Sequence, residues 1–386
     1  MPAPRSASGP AGVTMGVEEE FLLVDRTSLW SAGNAVSVLE RAADMGLGHG
    51  CRLQRELWDS EVETNTGVCT DLAGLREDLI RNRLTLARAA EAEGLAPVSV
   101  GYPLYGTRPA PLNPDASYRP LREVCGGILA DQEICGCHVH VGVDDRDTGV
   151  AVLNHLAPWL PTLLALTANS PFRQGRDTGF HSWRMMVYHC LPGSGIPPWF
   201  ASAAEYDADL ARLKECGLLP PDHGGLRPAR LSDHLPTVEV RVGDAAATVD
   251  EAVLYAALVR GLVRTALTDL DAGREARRLS DVVLADALWA AARYGPPGRA
   301  VDPWTGAGVP ATTLAARLLL HITPALAASG DLDEVRSLLD RVLNDGGAAT
   351  RQRRAAAEHG LSGVLAMLVR GTVRHEPEPI GRNAGT

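Results

Sequence analysis

The sequence predicts an α+β fold, with a sheet and a helical layer on one core. Three observations carry this. The segments with two-residue alternation all fall before residue 245. They are short and separated by stretches of helical period. After residue 245 the helical pattern dominates to about Arg370.

Taken in order, residues 1–11 are Pro, Ala, Ser and Gly in bulk and are expected to be disordered. Thr14 to Asp25 reads as a strand. Ser31 to Met45 and Asp71 to Gly94 read as helices, the second with Leu72, Leu75, Leu79, Leu84 and Leu86 at helical spacing. Glu61 to Val68 alternates, and Ala96 to Tyr102 is short and strand-like. Tyr102 to Pro120 is Pro-rich and reads as an ordered loop. Cys135 to Val143 alternates strictly. Thr148 to Asn169 is mostly helical, with Pro158 and Pro161 bending or breaking it. Ser170 to Phe180 and Pro192 to Pro198 read as loops, Ala201 to Leu213 as a short helix, and Pro236 to Val242 as a strand. Asp250 to Leu270 is a long apolar helix. Further helices follow, punctuated by Gly295-Pro296-Pro297-Gly298 and by Gly330. The expected organisation is a single domain over 12–372, sheet-rich to about 245, with a flexible tail at 373–386.

Composition narrows the function. Hydrophobic residues at 45% and charged residues at 22% are ordinary for a soluble protein with a real core. The net charge of -10 argues against nucleic acid or an anionic membrane as main partner. Lys214 is the only lysine and Glu215 follows it, so there is no Walker A loop. A nucleotide triphosphate would have to be held by arginines and metal. The seven cysteines form no C-x-x-C pair, Met1 to Gly16 lacks an apolar signal-peptide core, and no stretch reads as long and apolar enough to span a membrane. A cytoplasmic location with free thiols is expected.

Four strands carry the candidate chemistry. Side chains alternate faces along a strand. Glu18 and Glu20 therefore share one face, with Val17, Glu19, Phe21 and Leu23 on the other. Glu61, Glu63 and Asn65 share a face, and Glu56 precedes that strand. Cys137, Val139, Val141 and Val143 form an apolar stripe opposite His138 and His140. Val238, Val240 and Val242 lie opposite Glu239 and Arg241. Each pattern alone also fits a solvated strand end or an exposed ion pair. On one sheet, the four would build a polar concave face. Carboxylates crowded there repel each other unless cations intervene, and hard oxygen donors with a histidine suit Mg²⁺ or Mn²⁺. Arg173, Arg176, Arg184 and Arg227 are available for phosphate or carboxylate groups.

Gly-Val-Glu-Glu-Glu-Phe at 16–21, Cys-Gly-Cys-His-Val-His-Val-Gly at 135–142, Ala-Asn-Ser-Pro-Phe at 168–172 and Pro-Thr-Val-Glu-Val-Arg-Val at 236–242 together resemble the glutamate–cysteine ligase type-2 family, also described as carboxylate–amine ligases. The likeness spans roughly residues 13–370. It implies a glutamine-synthetase-like fold, an antiparallel sheet curved into a funnel with flanking helices, holding ATP and Mg²⁺. It implies metal ligands at Glu18, Glu20, Glu56, Glu63, His138 and Glu239. It places Arg241 near the transferred phosphate, with Glu63 and Arg241 as catalytic residues and Arg173 and Arg176 on the nucleotide. Arg184, Arg227 and His140 fall to the substrate. Partners are then a small acid and a small amine, joined through an acyl phosphate, and a homodimer is compatible.

Two departures stand out. Glu61 replaces a usual Gln, and His223-Gly224-Gly225-Leu226 replaces an aromatic pair and an acid before Arg227-Pro228. They leave the acid and the amine open, cysteine most of all. A ligase for a specialised acid or amine, a metal-dependent hydrolase activating water and a non-catalytic binding protein are the rival readings.

Overall fold

The computed structural model describes residues 12–105, 111–113, 118–221 and 223–373. The segments expected to be loose, 1–11 and 373–386, lie outside them except for Val373, which ends the last helix, and part of the Pro-rich loop lies outside as well.

The main sheet contains β1 (Met15–Asp25), β2 (Arg52–Arg55), β3 (Glu61–Asn65), β4 (Leu95–Val98), β5 (Gly136–Gly142), β8 (Ala229–Leu231) and β9 (Thr237–Asp244). Two small hairpins complete the strands, β6 (Phe172–Arg173) with β7 (Arg176–Asp177), and β10 (Arg299–Val301) with β11 (Gly308–Pro310). The spatial order of the sheet is β2-β3-β1-β5-β9-β8, and every pairing is antiparallel. On one side of β1, its first half pairs with β5 and its second half with β4. On the other side lies β3.

The helices are α1 (Ala35–Met45), α2 (Leu72–Ala92), α3 (Arg119–Cys125), α4 (Arg146–Leu156), α5 (Leu160–Thr167), α6 (Trp183–Tyr188), α7 (Ala203–Glu215), α8 (Val249–Asp271), α9 (Asp281–Tyr294), α10 (Ala311–Ser329), α11 (Leu332–Asp345) and α12 (Ala348–Val373). Their starts follow local chemistry. Asp71 accepts from the Gly74 amide at 2.8 Å ahead of α2, and Asp145 from the Thr148 amide at 2.9 Å ahead of α4. Thr248 caps α8 at the Glu251 amide, and Asp250 and Glu251 then favour the positive end of the helix. Pro158 and Pro161 do break the predicted 148–169 helix, into α4, a 3₁₀ turn over Ala157–Trp159, and α5.

The valine stripes do what their period predicts. Cys137, Val139 and Val141 of β5 and Val238, Val240 and Val242 of β9 are fully buried in one core with Leu153, Leu163, Val253 and Leu288. Each such side chain contributes roughly 1.5–3 kcal/mol. The sheet is thereby closed on one face by α4, α5 and α8, and the opposite face is left to the polar side chains.

Four expectations need correction. Strands do not stop at 245, because β10 and β11 form a hairpin over 299–310. β2 and β8 are additional strands; both are too short to show a period. The 170–180 segment is a hairpin rather than an open loop. Finally, two helical stretches reach membrane-spanning length and hydropathy, Arg146–Thr167 and Ala311–Ser329. The first is apolar because it is the core: 89% of its apolar window is buried.

A buried ion pair also joins the sheet to α2. Glu19 falls on the apolar face of β1 and meets Arg83 of α2, with Oε1 at 2.6 Å and Oε2 at 3.0 Å. Arg83 donates further to the Ala246 carbonyl at 2.8 Å. Both side chains are buried, and a buried charge survives only with such pairing.

Candidate active site

The register of the sheet assembles the polar face. Glu20 stands opposite Glu63, Glu18 opposite His138, and His140 opposite Glu239. Between Cys137 and Val139 the partner on β9 moves from Gly243 to Val240, so β9 carries one extra residue opposite His138. Such a bulge re-aims side chains locally. Here it falls at Arg241, whose guanidinium lies 3.2 Å from His138 Nδ1 and also meets Glu239.

The six residues expected to bind metal separate into two groups. Glu18, His138 and Glu239 form one, and Glu20, Glu56 and Glu63 the other. Within each, the candidate ligand atoms lie within 4.8 Å of one another. His138 stands between them, with Nδ1 3.3 Å from Glu18 Oε2 and Nε2 3.6 Å from Glu20 Oε1. His138 Nε2 is buried without a hydrogen-bond partner among the described residues.

The two groups differ electrically. Burial pushes the Glu18 carboxyl up, but hydrogen bonds and charge from His138 and His140 outweigh it and hold the group far below the usual range. Burial acts on Glu239 likewise, and Arg241, His140 and Arg230 overcome it. Glu56 and Glu63 of the second group are shifted the other way. Burial, then the charge of Glu20, lifts Glu56 to about 7. Burial, then Glu56 and Glu18, lifts Glu63 well above its ordinary value. Among the described residues Glu63 Oε1 accepts from two neutral amides, Gln54 Nε2 and Asn65 Nδ2, each at 2.7 Å. Oxygen-only ligands under mutual repulsion fit a hard divalent cation.

Around these groups, His140 is oriented by Thr237, whose Oγ1 lies 2.9 Å from Nδ1, and presents Nε2 to Glu18 Oε1 at 3.2 Å. Burial lowers its pKa, yet Glu239 and Glu18 bring it out above the ordinary value. His138 is shifted the other way, by burial and then Arg241. Arg184 is 2% exposed and donates to the Arg241 carbonyl at 3.4 Å. Its Nε and NH1 have no hydrogen-bond acceptor among the described residues. Asp244, 3.9 Å from that NH1, is fixed by the Ser170 and Ser182 hydroxyls and the Asn169 amide.

The other arginines are placed differently. Arg173 lies over the Trp183 ring at 5.6 Å, and Arg176 is exposed; both belong to the β6–β7 hairpin, outside the main sheet. Arg227 is turned into packing. It is 4% exposed, pairs with Asp209 and lies over the Phe200 and Tyr206 rings at 5.0 and 5.5 Å. The arginine that does reach the polar face from this segment is Arg230, with Nε 2.8 Å from Glu239 Oε2. Sequence reasoning missed it, along with Gln54 at Glu63 and Glu133 beside Glu61. The small–charged–apolar order of Ala229-Arg230-Leu231 was the available signal. Glu61 lies deeper, beside Glu133 and Glu20, and burial followed by those two charges pushes it well up.

The family model described as Glutamate-cysteine ligase family 2 (GCS2) matches residues 14–375. A relative from Saccharopolyspora erythraea, provisionally named glutamate–cysteine ligase 2-2, is 48% identical over 372 residues, covering 96% of this chain and 95% of the relative. A protein of the same provisional name from Mycolicibacterium vanbaalenii is 46% identical over 354 residues, covering 92% and 96%. Among solved structures, the glutamate–cysteine ligase of Francisella tularensis in complex with AMP aligns with TM-score 0.66 at 16% identity, over 93% of this chain and 88% of that one. The ligase PafA in complex with the ubiquitin-like protein Pup aligns with TM-score 0.53 at 14% identity, over 94% and 73%. At those identities the likeness is one of fold. The class that fold and relatives define is the ATP-dependent carbon–nitrogen ligases of glutamine-synthetase-like architecture. Within it, the chain belongs to glutamate–cysteine ligase family 2.

Proposed function

We propose that the polar face binds ATP with Mg²⁺, Mn²⁺ substituting, and joins the γ-carboxylate of glutamate to the amine of cysteine. The observation that carries this reading is the pair of adjacent ligand groups on register-matched strands, with Arg241 between His138 and Glu239. Glu18, His138 and Glu239 hold one cation and Glu20, Glu56 and Glu63 the other. Bound Mg²⁺ neutralises charge on the phosphate oxygens.

A carboxylate is a poor electrophile, so its oxygen first takes the γ-phosphoryl group of ATP, giving an acyl phosphate and ADP. Arg241 neutralises charge on that group as it moves. The amine nitrogen then attacks the acyl carbon, the bond to phosphate breaks, phosphate leaves with the electron pair, and the nitrogen loses a proton. Arg184, with two unsatisfied nitrogens, and His140 orient the acid, and Arg173 and Arg176 serve the nucleotide. Met15 and Val17 of β1 lie in the core that runs to Val342, and Leu22 and Val24 of the same strand pack with Val364 and Leu368 of α12, which supports reading 12–372 as a single domain. A cytoplasmic location fits this metabolism.

A second reading keeps the chemistry and changes the acid or amine. It is favoured by Arg227, an expected substrate contact that is here occupied by Asp209, Phe200 and Tyr206. One assay separates the readings: ADP and phosphate release with ATP and Mg²⁺, adding glutamate and then a panel of amines. Release that requires glutamate and cysteine supports the first. Release only with another pair supports the second. No metal-dependent ATP turnover with any acid overturns both.

A further inference from the structure

We infer that Arg230 is a positioning residue that acts through Glu239, holding one carboxylate oxygen so that the other keeps a fixed direction toward the cation group. The inference rests on the reading of Glu18, His138 and Glu239 as cation ligands. Arg230 and Glu239 are direct register partners across β8 and β9. Arg230 Nε donates to Glu239 Oε2 at 2.8 Å, while its NH2 reaches Oε1 only at 3.4 Å. The fork is tight on Oε2 and long on Oε1. The rest of the site meets Oε1: Arg241 NH1 donates to it, and His140 Nε2 lies 4.0 Å away. A carboxylate gripped at one oxygen by a planar, charged donor cannot turn freely at the other.

The segment that carries Arg230 is built to hold it still. β8 is three residues long and forms the edge of the sheet. Ala229 and Leu231 are buried on its core side, which turns Arg230 to the polar face. The Leu231 amide donates to the Tyr206 hydroxyl at 3.2 Å, and the Arg241 amide to the Pro228 carbonyl at 2.7 Å. Arg227, seated among Asp209, Phe200 and Tyr206, anchors the start of the same segment. Arg230 NH1 also donates to the Gly225 carbonyl at 2.9 Å, and the Gly225 amide donates to His223 Nδ1 at 3.0 Å. One guanidinium thus fastens the 223–225 loop to a candidate cation ligand.

The charge of Arg230 works against a cation, since like charges repel. Its value to the site is therefore geometric: hydrogen-bonded partners of ligating carboxylates set their orientation. Lysine keeps the charge and loses the fork, so Arg230→Lys isolates that role.

The probe is Mn²⁺ alone, titrated into the full chain and followed by the electron paramagnetic resonance signal of the free ion and by calorimetry. No ATP, acid or amine is present, so the ligase reaction is tested separately by ADP release. Glu239→Gln identifies the binding event that belongs to the Glu239 group. Arg230→Lys should weaken that same event about tenfold or more and leave binding at Glu20, Glu56 and Glu63 unchanged. Thermal melts in EDTA check that each variant is folded. Arg230→Lys protein that binds Mn²⁺ like the wild type, or that weakens all Mn²⁺ binding equally, overturns the proposal. Wild-type protein that binds no Mn²⁺ overturns it together with the metal reading.

Discussion

Glu20 on β1 and Glu63 on β3 are direct register partners, and Glu56 completes their group from the turn after β2. Three carboxylates at this separation, with neutral amide donors on Glu63 among the described residues, weaken the metal-free protein and favour a cation. Glu63→Gln should therefore have opposite effects in two conditions. Without metal it should raise the melting temperature at a pH high enough to ionise Glu63, by removing a repelling charge. With Mg²⁺ it should lose the metal-induced rise of the wild type and at least about 100-fold in ATP turnover. Melts with EDTA and with Mg²⁺, alongside ADP release, measure both. A variant still stabilised fully by Mg²⁺ would remove Glu63 from the site.

Glu133 predicts a pH dependence. Its carboxyl is buried and accepts from the Ser60 hydroxyl. Burial lifts its pKa from 4.5 to about 7 despite that bond. A folded-state value above the unfolded one means the group supports folding fully below about 4.5, and that support is lost as pH rises through about 7. Between pH 5 and pH 7 the cost is about 2 kcal/mol. Glu133→Gln keeps the shape and cannot ionise, so its stability should fall less over this range. Urea denaturation of both proteins in EDTA at pH 5, 6 and 7 measures the difference, and parallel curves would refute the assignment.

The strands β1, β3, β5 and β9 were legible because each sets an apolar stripe against a polar one, and that alternation alone brought Glu18, Glu20, Glu63, His138, His140, Glu239 and Arg241 to one face. Division into two groups was not legible. It depends on which residue faces which across the sheet, and alternation leaves register free by even steps. The bulge opposite His138 was hidden for the same reason. β2 has no apolar face to read and β8 is three residues long, so Gln54 and Arg230 went unseen. Arg227, three residues before Arg230, took its place because a sequence does not show which of two nearby arginines meets rings and which meets a carboxylate.

Gly136 tests the spacing of the site. A Cβ there would meet Arg184 NH2 at 2.3 Å and His138 Nε2 at 2.9 Å. Arg184 is buried and has little room to withdraw. Gly136→Ala should cost about 1–3 kcal/mol of stability and displace both polar groups, so that ATP turnover falls while the fold persists. Denaturation midpoints and turnover measured together decide it; an alanine enzyme with wild-type turnover would show that Gly136 does not set the position of His138.

Arg227 and Arg184 make opposite predictions although both are buried arginines. Arg227 is engaged by Asp209, Phe200 and Tyr206, and Arg241 is tied to the same segment through its amide and the Pro228 carbonyl at 2.7 Å. Arg227→Met keeps the bulk and loses the ion pair and the ring contacts. It should lower stability by about 1–3 kcal/mol and leave KM for the acid within about twofold. Arg184 has two unsatisfied guanidinium nitrogens beside the ligand groups. Arg184→Met should instead raise KM for the acid about tenfold or more, through loss of a charge-assisted contact. Steady-state kinetics with urea midpoints for both variants separate the roles. A large KM effect from Arg227→Met at unchanged stability would mean that Arg227 leaves its aromatic seat to meet the acid in the working enzyme.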